Sequence, residues 1–309
     1  MSKNIKNAQD VLQVSCDKLI HLMKTEKGEW SRGYSSVGVP MNGYSKTPYR
    51  GINHFMLSMV SFEQGYDSNE WMTYKQAQQG GYSIIPNKDM PNGSTAQKII
   101  FFKPMKKGEK YFTDYDKAQV AKGITPMIPL LKMYTVFHAS QVDGYEPVKT
   151  VRASVSELCA EKTAEIDLFF DNIGSVVKTG SPCYIPSIDE IRMPERESFH
   201  SDVRYYGTRG HEEIHRTGHE SRLKRFKKNS SFGTEARAFE ELVAEIGTVL
   251  LTSQLGIETT IRKHHLQYLN SWIKVLEDDK KAMYRAFSQA QKAVDFLNEC
   301  QEEKQANVA

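Results

Sequence analysis

The sequence predicts an α+β protein in two parts: a mixed first half over residues 1–150, and a mostly helical second half with a small sheet over residues 151–309. Three observations carry this reading. The 309 residues make room for two ordinary domains. In the first half, Lys98–Lys103 and Lys132–Phe137 are rich in β-branched and aromatic residues and stand among helical stretches, the composition of strands. From Ser201 onward apolar residues recur at threes and fours almost without a break, the period of helices with one buried face.

The elements follow in order. Ile5, Ala8, Val11, Leu12, Ser15, Leu19, Leu22 and Met23 give the first stretch helical spacing, with Gly28 as its stop. The passage SRGYSSVGVPMNGYSKTPYRGIN has no clean period and reads as an irregular loop carrying Tyr34, Tyr44 and Tyr49, just after Trp30. Asn53–Phe62 and Thr73–Gln79 are helical, the second ending at Gly80-Gly81. Residues 104–126, charged and tyrosine-rich, read as a surface excursion between the two strands. The first half ends near Glu146-Pro147, and 147–160 reads as a linker. Glu161–Asn172 is a helix stopped at Gly174, and Ser187–Met193 a strand ended by Pro194. Helices are expected at 202–217, 234–255, 258–277 and 279–302.

Composition narrows the function. The chain is 39% hydrophobic and 26% charged, which excludes disordered and fibrous classes. No stretch has the length of a membrane span, and the polar start MSKNIKNAQDVLQVSCDKL has no apolar signal core. A soluble, cytoplasmic protein with no membrane partner is expected. Cys16, Cys159, Cys183 and Cys300 lie far apart and read as reduced, buried thiols. Residues 1–150 hold 19 Lys/Arg against 13 Asp/Glu, while the remainder holds 22 against 25. A weakly basic first half is compatible with a polyanion, but it lacks the clustered stripe of a duplex-DNA reader.

The strongest chemical signal is His211-Glu212-Glu213-Ile214-His215. Two histidines four apart on a helix project from one face and can present ring nitrogens to one Zn²⁺. A glutamate directly after the first lies beside that face, placed to take a proton from the attacking water and pass it to a leaving amine. A catalytic zinc needs a third protein ligand. Glu241 and Glu245 share a face of the apolar helix that follows. Glu241 is the expected ligand, and Glu245 the partner that accepts the second N–H of a ligating histidine; the reverse order stays open. Glu240 reads as solvated. His219 is the rival third ligand, although Thr217-Gly218 looks like the helix end. Tyr205, Tyr206, His264 and His265 are possible donors to a developing oxyanion.

These residues carry a resemblance. YYGTRGHEEIHRTGHESRLKR, followed by FGTEARAFEELVAEIGTVLL, resembles the C-terminal metallopeptidase domain of the ArdC-type antirestriction proteins. That domain is also found in the TraC-type primases of conjugative plasmids and in polyvalent proteins of mobile elements. SWIKVLEDDKKAMYRAFSQAQKAVDFL extends the likeness to the C-terminus. TPYRGIN, EWMTYKQAQQGG and KMYTVFHASQV resemble the family's N-terminal single-stranded-DNA-binding domain. Glu213, where the family usually has an apolar residue, and Arg216, where an aromatic is common, depart from the pattern. The resemblance implies an N-terminal single-stranded-DNA-binding domain and a C-terminal zincin-like metallopeptidase domain.

Single-strand binding calls for positive charge and aromatic faces on which bases stack. Arg50, Lys46, Tyr49, Trp71 and Lys75 are the expected contacts, with Tyr44, Tyr74 and Lys103 nearby in the same mixture. The expected function is a single-stranded-DNA-binding antirestriction protein of a mobile element with a zinc-dependent peptidase domain, acting on a host protein. The alternative is a DNA-shielding protein whose zinc site is structural or vestigial.

Overall fold

The structure, a computed structural model, describes residues 7–25, 38–86, 96–111, 113–121, 123, 125–149, 158–226, 234–257 and 269–306. The expected stop at Gly28, the aromatics Trp30 and Tyr34, and His264 and His265 lie outside the described residues. The first half holds α1 (Ala8–Thr25), β1 (Met41–Asn42), α2 (Ile52–Glu63), β2 (Glu70–Thr73), α3 (Tyr74–Gln79), β3 (Ser83–Ile84), β4 (Gln97–Lys106), α4 (Asp114–Val120), β5 (Met127–His138) and β6 (Val142–Asp143). The second holds α5 (Ala160–Ile173), β7 (Val176–Thr179), β8 (Cys183–Ile185), β9 (Glu190–Met193), α6 (Asp202–Thr217), α7 (Thr234–Gln254), α8 (Leu269–Asp278) and α9 (Lys280–Ala306). The fold is α+β, and no helix among the described residues is long and apolar enough to cross a membrane.

One sheet has the order β1-β2-β5-β4, with β1 parallel to β2 and the other pairs antiparallel. Strands β4 and β5 run beyond their expected ends, so part of the 104–126 excursion is ladder. Pro104 and Pro129 hid this in the sequence, because proline usually argues against a strand interior; here they stand opposite each other. The rest of the excursion contains α4, whose start is fixed by a reciprocal cap between Thr113 and Asp116. Of the cysteines, Cys16 is buried, but Cys159 and Cys183 are exposed, which corrects the expectation for those two; none is bridged.

The largest apolar core lies among the helices. Helix α7 is its axis: Leu242, Val243, Ala244, Ile246, Val249, Leu250 and Leu251 are all buried, so it is apolar nearly all round. Such a helix is stable only when covered on several sides, and α6, α8 and α9 pack against it. Leu19 and Met23 of α1 and Phe55 of α2 belong to the same cluster as Trp272 and Phe287. Polar links reinforce this packing. Arg50 donates to Asp295, the Gly51 N–H donates to Gln291 Oε1 at 2.8 Å, and His54 Nε2 lies 3.2 Å from Ser253 Oγ.

Two buried histidines make the fold sensitive to acid. Burial lowers the His54 pKa to about 3. Burial also lowers His138 to about 4, against the opposing pull of the Ser68 carbonyl and of Asp67 and Glu70. Both rings are neutral in the folded chain, whereas in the unfolded chain they take up a proton near pH 6.5. Their contribution is therefore present above pH 6.5 and lost as pH falls from there towards about 3 for His54 and about 4 for His138. Between pH 7 and 5 the loss is about 2 kcal/mol for each ring. Thermal unfolding should show a falling midpoint over that range, with a shallower fall for His54→Gln. Equal slopes for the variant and the unmodified chain would remove His54 from the explanation.

Candidate metal centre

The site forms where α6 crosses α7. The Ser201 hydroxyl accepts from the Arg204 N–H and starts α6, which ends at Thr217 with Gly218 as its cap. The crossing is close because Gly247 faces Ile214: a Cβ on Gly247 would lie 2.9 Å from Ile214 Cγ2. Gly210 likewise gives way to Leu251. Without side chains at these two points, the His211–His215 face of α6 settles onto the acidic face of α7.

The result is a compact triangle of donors. His211 Nε2 and His215 Nε2 are 3.1 Å apart, and Glu241 Oε2 lies 3.5 Å from the first and 3.6 Å from the second. Tetrahedral bonds of about 2.0–2.1 Å hold their donor atoms about 3.3–3.4 Å apart. His211, His215 and Glu241 thus fit one metal ion of zinc size, and they form the one such group found among the described residues. His219 stands apart. The helix has ended, and His219 Nδ1 lies 2.8 Å from Ser221 Oγ in the loop that follows.

The second nitrogens of both rings meet carboxylates. His211 Nδ1 lies 3.4 Å from Glu245 Oε1, and His215 Nδ1 lies 3.3 Å from Glu240 Oε1. Such partners fix which ring nitrogen carries the proton, leaving the other for a metal. Glu240 corrects the sequence reading, which left it in solvent. It is 8% exposed and accepts from Arg225 Nη2 at 2.8 Å and Nε at 3.0 Å. Arg225 also donates to the Ile214 carbonyl and to Thr217 Oγ1, so it binds the end of α6 to α7.

These charges are strongly coupled. Burial alone would lower the His215 pKa, but Glu240 and Glu241 outweigh it and raise the ring to about 10. Burial would raise Glu241, yet the two histidines hold it far below the usual carboxylate range. Glu240 is also lowered against its burial, by His215 and Arg225. The unloaded centre is therefore an imidazolium among carboxylates, which a metal ion replaces with the release of a proton. Glu240→Gln should weaken metal binding by about 10–100-fold, the usual effect of losing an outer partner of a ligand. A competition titration with a chelating dye reads it directly, and unchanged affinity would assign Glu240 to packing alone.

Glu212, the expected proton acceptor, is 4% exposed and follows His211 on α6. Burial raises the thiol of Cys183 on β8, and the charge of the Glu212 carboxylate adds to that rise. The small sheet has the order β7-β9-β8, and α6 packs against β8 and β9. Glu213 is fully buried and paired with Arg209 and Ser175, so this departure from the family pattern is a structural ion pair. Tyr206 is also committed elsewhere: it is 1% exposed and its hydroxyl donates to Asp167. Tyr205 shares its turn, roughly 9 Å along the helix from His211.

The expected DNA contacts fare differently from one another. Trp71 is fully buried, and its indole N–H donates to Asn69. It presents no face to a base, and the expectation is corrected to core packing. Tyr49 is half-buried, within reach of Asn42 and the Trp71 carbonyl, and burial raises its pKa to about 12. Lys46 donates to Glu70 and Tyr145, both at 2.7 Å. Arg50 is held by Asp295. Lys75, with Tyr74 beside it, is exposed on α3. The side chain of Lys103 lies outside the described ones.

Comparison with known proteins places both halves. Residues 9–137 match the family described as the N-terminal domain of the anti-restriction factor ArdC, and residues 164–289 match a zincin-like metallopeptidase family. The chain is similar to an uncharacterized protein, y4eC, of Sinorhizobium fredii, 29% identical over 90% of this chain and 87% of that one. It is similar to a DNA primase TraC of Escherichia coli, 32% identical over 96% of this chain but only 20% of the primase. Among solved structures it resembles the antirestriction protein ArdC of plasmid R388 in its metal-free form, with 33% identity, 95% of this chain and 98% of that one covered, and a TM-score of 0.75. The Mn(II)-bound form of the same protein superposes with a TM-score of 0.72 and 33% identity, covering 94% and 97% of the two chains.

Proposed function

This chain belongs to the ArdC family of antirestriction proteins, and on that premise we propose that it binds single-stranded DNA and carries a working, zinc-dependent peptidase centre. The observation that carries the second part is the triangle of His211, His215 and Glu241 with Glu212 next to it in α6. A metal ion held there supplies Lewis acidity, polarising a peptide carbonyl and acidifying water. The chain's own groups do the rest. Glu245 and Glu240 orient the two imidazoles. Glu212 accepts the proton of the attacking water and returns it to the departing amine. Strand β8 is short, lies at an edge of its sheet and packs against α6, and there an extended peptide can add its own backbone hydrogen bonds.

The DNA-binding part is supported by the basic surplus of the first half and by family membership. A cytoplasmic protein of a mobile element that shields incoming single strands, and cleaves a host protein, fits both parts. One experiment tests the pair: metal content after dialysis against Zn²⁺ or Mn²⁺, with a mobility shift on single-stranded and duplex DNA. Zinc bound at about one ion per chain, and a preference for the single strand, are the expected results. A chain that takes up no metal sinks the peptidase reading, and equal affinity for duplex sinks the single-strand reading.

A further inference from the structure

Of the contacts expected from sequence, Trp71 is buried and Lys46, Tyr49 and Arg50 are engaged with other side chains, which leaves Lys75, with Tyr74 beside it, and Tyr44 exposed. The β4–β5 hairpin offers a larger aromatic surface, joined to a cation, that the sequence did not suggest. Residues 97–138 hold eight lysines against three acidic residues, which accounts for most of the basic surplus of the first half. Helices α1 and α2 cover the root of the hairpin. There, Ile99 and Val136 pack with Leu57, Val60 and Trp71, Ile100 packs with Ala8 and Val11 of α1, and Asn53 bonds both backbone groups of Ile100.

Past that root, on the face carrying Ile99 and Val136, the described side chains of Phe101, Lys132 and Tyr134 are exposed. Register puts Ile99 opposite Tyr134 and Phe101 opposite Lys132, so these side chains share one side of the ladder. Phe101 is 53% exposed and Tyr134 is 41% exposed. Their rings meet edge to face, with centroids 6.3 Å apart. Lys132 is exposed beside them, and no acidic partner for it is seen among the described residues. Two large aromatic side chains in water are costly on a sheet face, and a base stacked on each recovers that cost while Lys132 meets the phosphates.

We infer that Phe101, Tyr134 and Lys132 form a stacking platform for single-stranded nucleic acid on the β4–β5 hairpin. This rests on the single-strand reading above, but it assigns the strand to residues outside the expected set. Register makes the platform local: the two rings sit diagonally across the ladder and can take neighbouring bases of one strand. Phosphate contact by Lys132 adds a salt-dependent share.

The test is fluorescence anisotropy of a labelled oligothymidylate with the full chain. Phe101→Ala and Tyr134→Ala should each weaken binding about tenfold, the usual effect of losing one stacked base. Tyr134→Phe keeps the ring and should bind as the unmodified chain does. Lys132→Gln should reduce the slope of log affinity against log salt by about 0.7. A bromodeoxyuridine oligonucleotide should photo-crosslink to the peptide containing Phe101 or Tyr134, a readout independent of any change in folding. If the unmodified chain binds the oligonucleotide and both alanine variants bind as tightly, the platform is overturned while single-strand binding stands. If the unmodified chain does not bind at all, both fall. If the alanine variants alter only the sedimentation of the chain, the face joins two copies and the platform is overturned.

Discussion

His211→Ala, His215→Ala and Glu241→Ala are each expected to lose most of the bound metal, whereas His219→Ala keeps it. The expectation rests on geometry: three donor atoms separated by 3.1, 3.5 and 3.6 Å, against a His219 ring turned to Ser221. Removing one of three ligands leaves two, and a two-ligand zinc site is too weak to survive dialysis. Elemental analysis of each purified variant reads the outcome. Metal lost from His219→Ala and kept by Glu241→Ala would give the third position to the histidine. The same preparations distinguish zinc from manganese, because the nitrogen-rich donor set favours zinc.

Much of this centre is legible in sequence because it is local. Histidines at i and i+4 share a helix face wherever the helix goes, and the acidic pair Glu241 and Glu245 stands out inside an apolar run. Glu240 is different. Its neighbour in sequence points about 100° away around the helix, so nothing local distinguishes a solvated carboxylate from one bound to His215. What distinguishes it is Arg225, which returns from the loop after α6 to bond Glu240, a contact between segments that no spacing rule encodes. The short strands β7 and β8 were invisible for a related reason. Val176–Thr179 is largely exposed, and its strand character comes from pairing with β9 and not from its own composition. In the first half, Trp71 reads as a candidate stacking residue by type, but only the sheet shows it packed between Leu57, Val60 and Val136. The basic excursion likewise reads as a loop until the ladder is seen to run through Pro104 and Pro129. Residue type was a good guide to chemistry here and a poor one to exposure.

Glu212→Gln is expected to abolish peptide cleavage while leaving metal content and DNA binding unchanged. Glutamine keeps the shape of the side chain, so the packing of this nearly buried position on α6 survives. It loses the capacity to accept a proton at the pH of the assay. General-base catalysis of this kind contributes roughly 10²–10⁴-fold, and a fall of that size in the cleavage rate is the prediction. Unfolded casein, with and without single-stranded DNA, is a suitable first substrate because it offers extended backbone to the β8 edge. Comparison with Glu245→Gln separates two roles. Glu245 acts through His211 Nδ1, so its loss should weaken metal affinity and leave the metal-saturated rate largely intact. Glu212→Gln should do the opposite. A Glu212→Gln chain that cleaves as fast as the unmodified one takes the proton-transfer role away from this residue. An unmodified chain that holds zinc at His211, His215 and Glu241 but cleaves nothing, with or without DNA, leaves the metal centre as a structural brace between α6 and α7 and DNA shielding as the chain's activity.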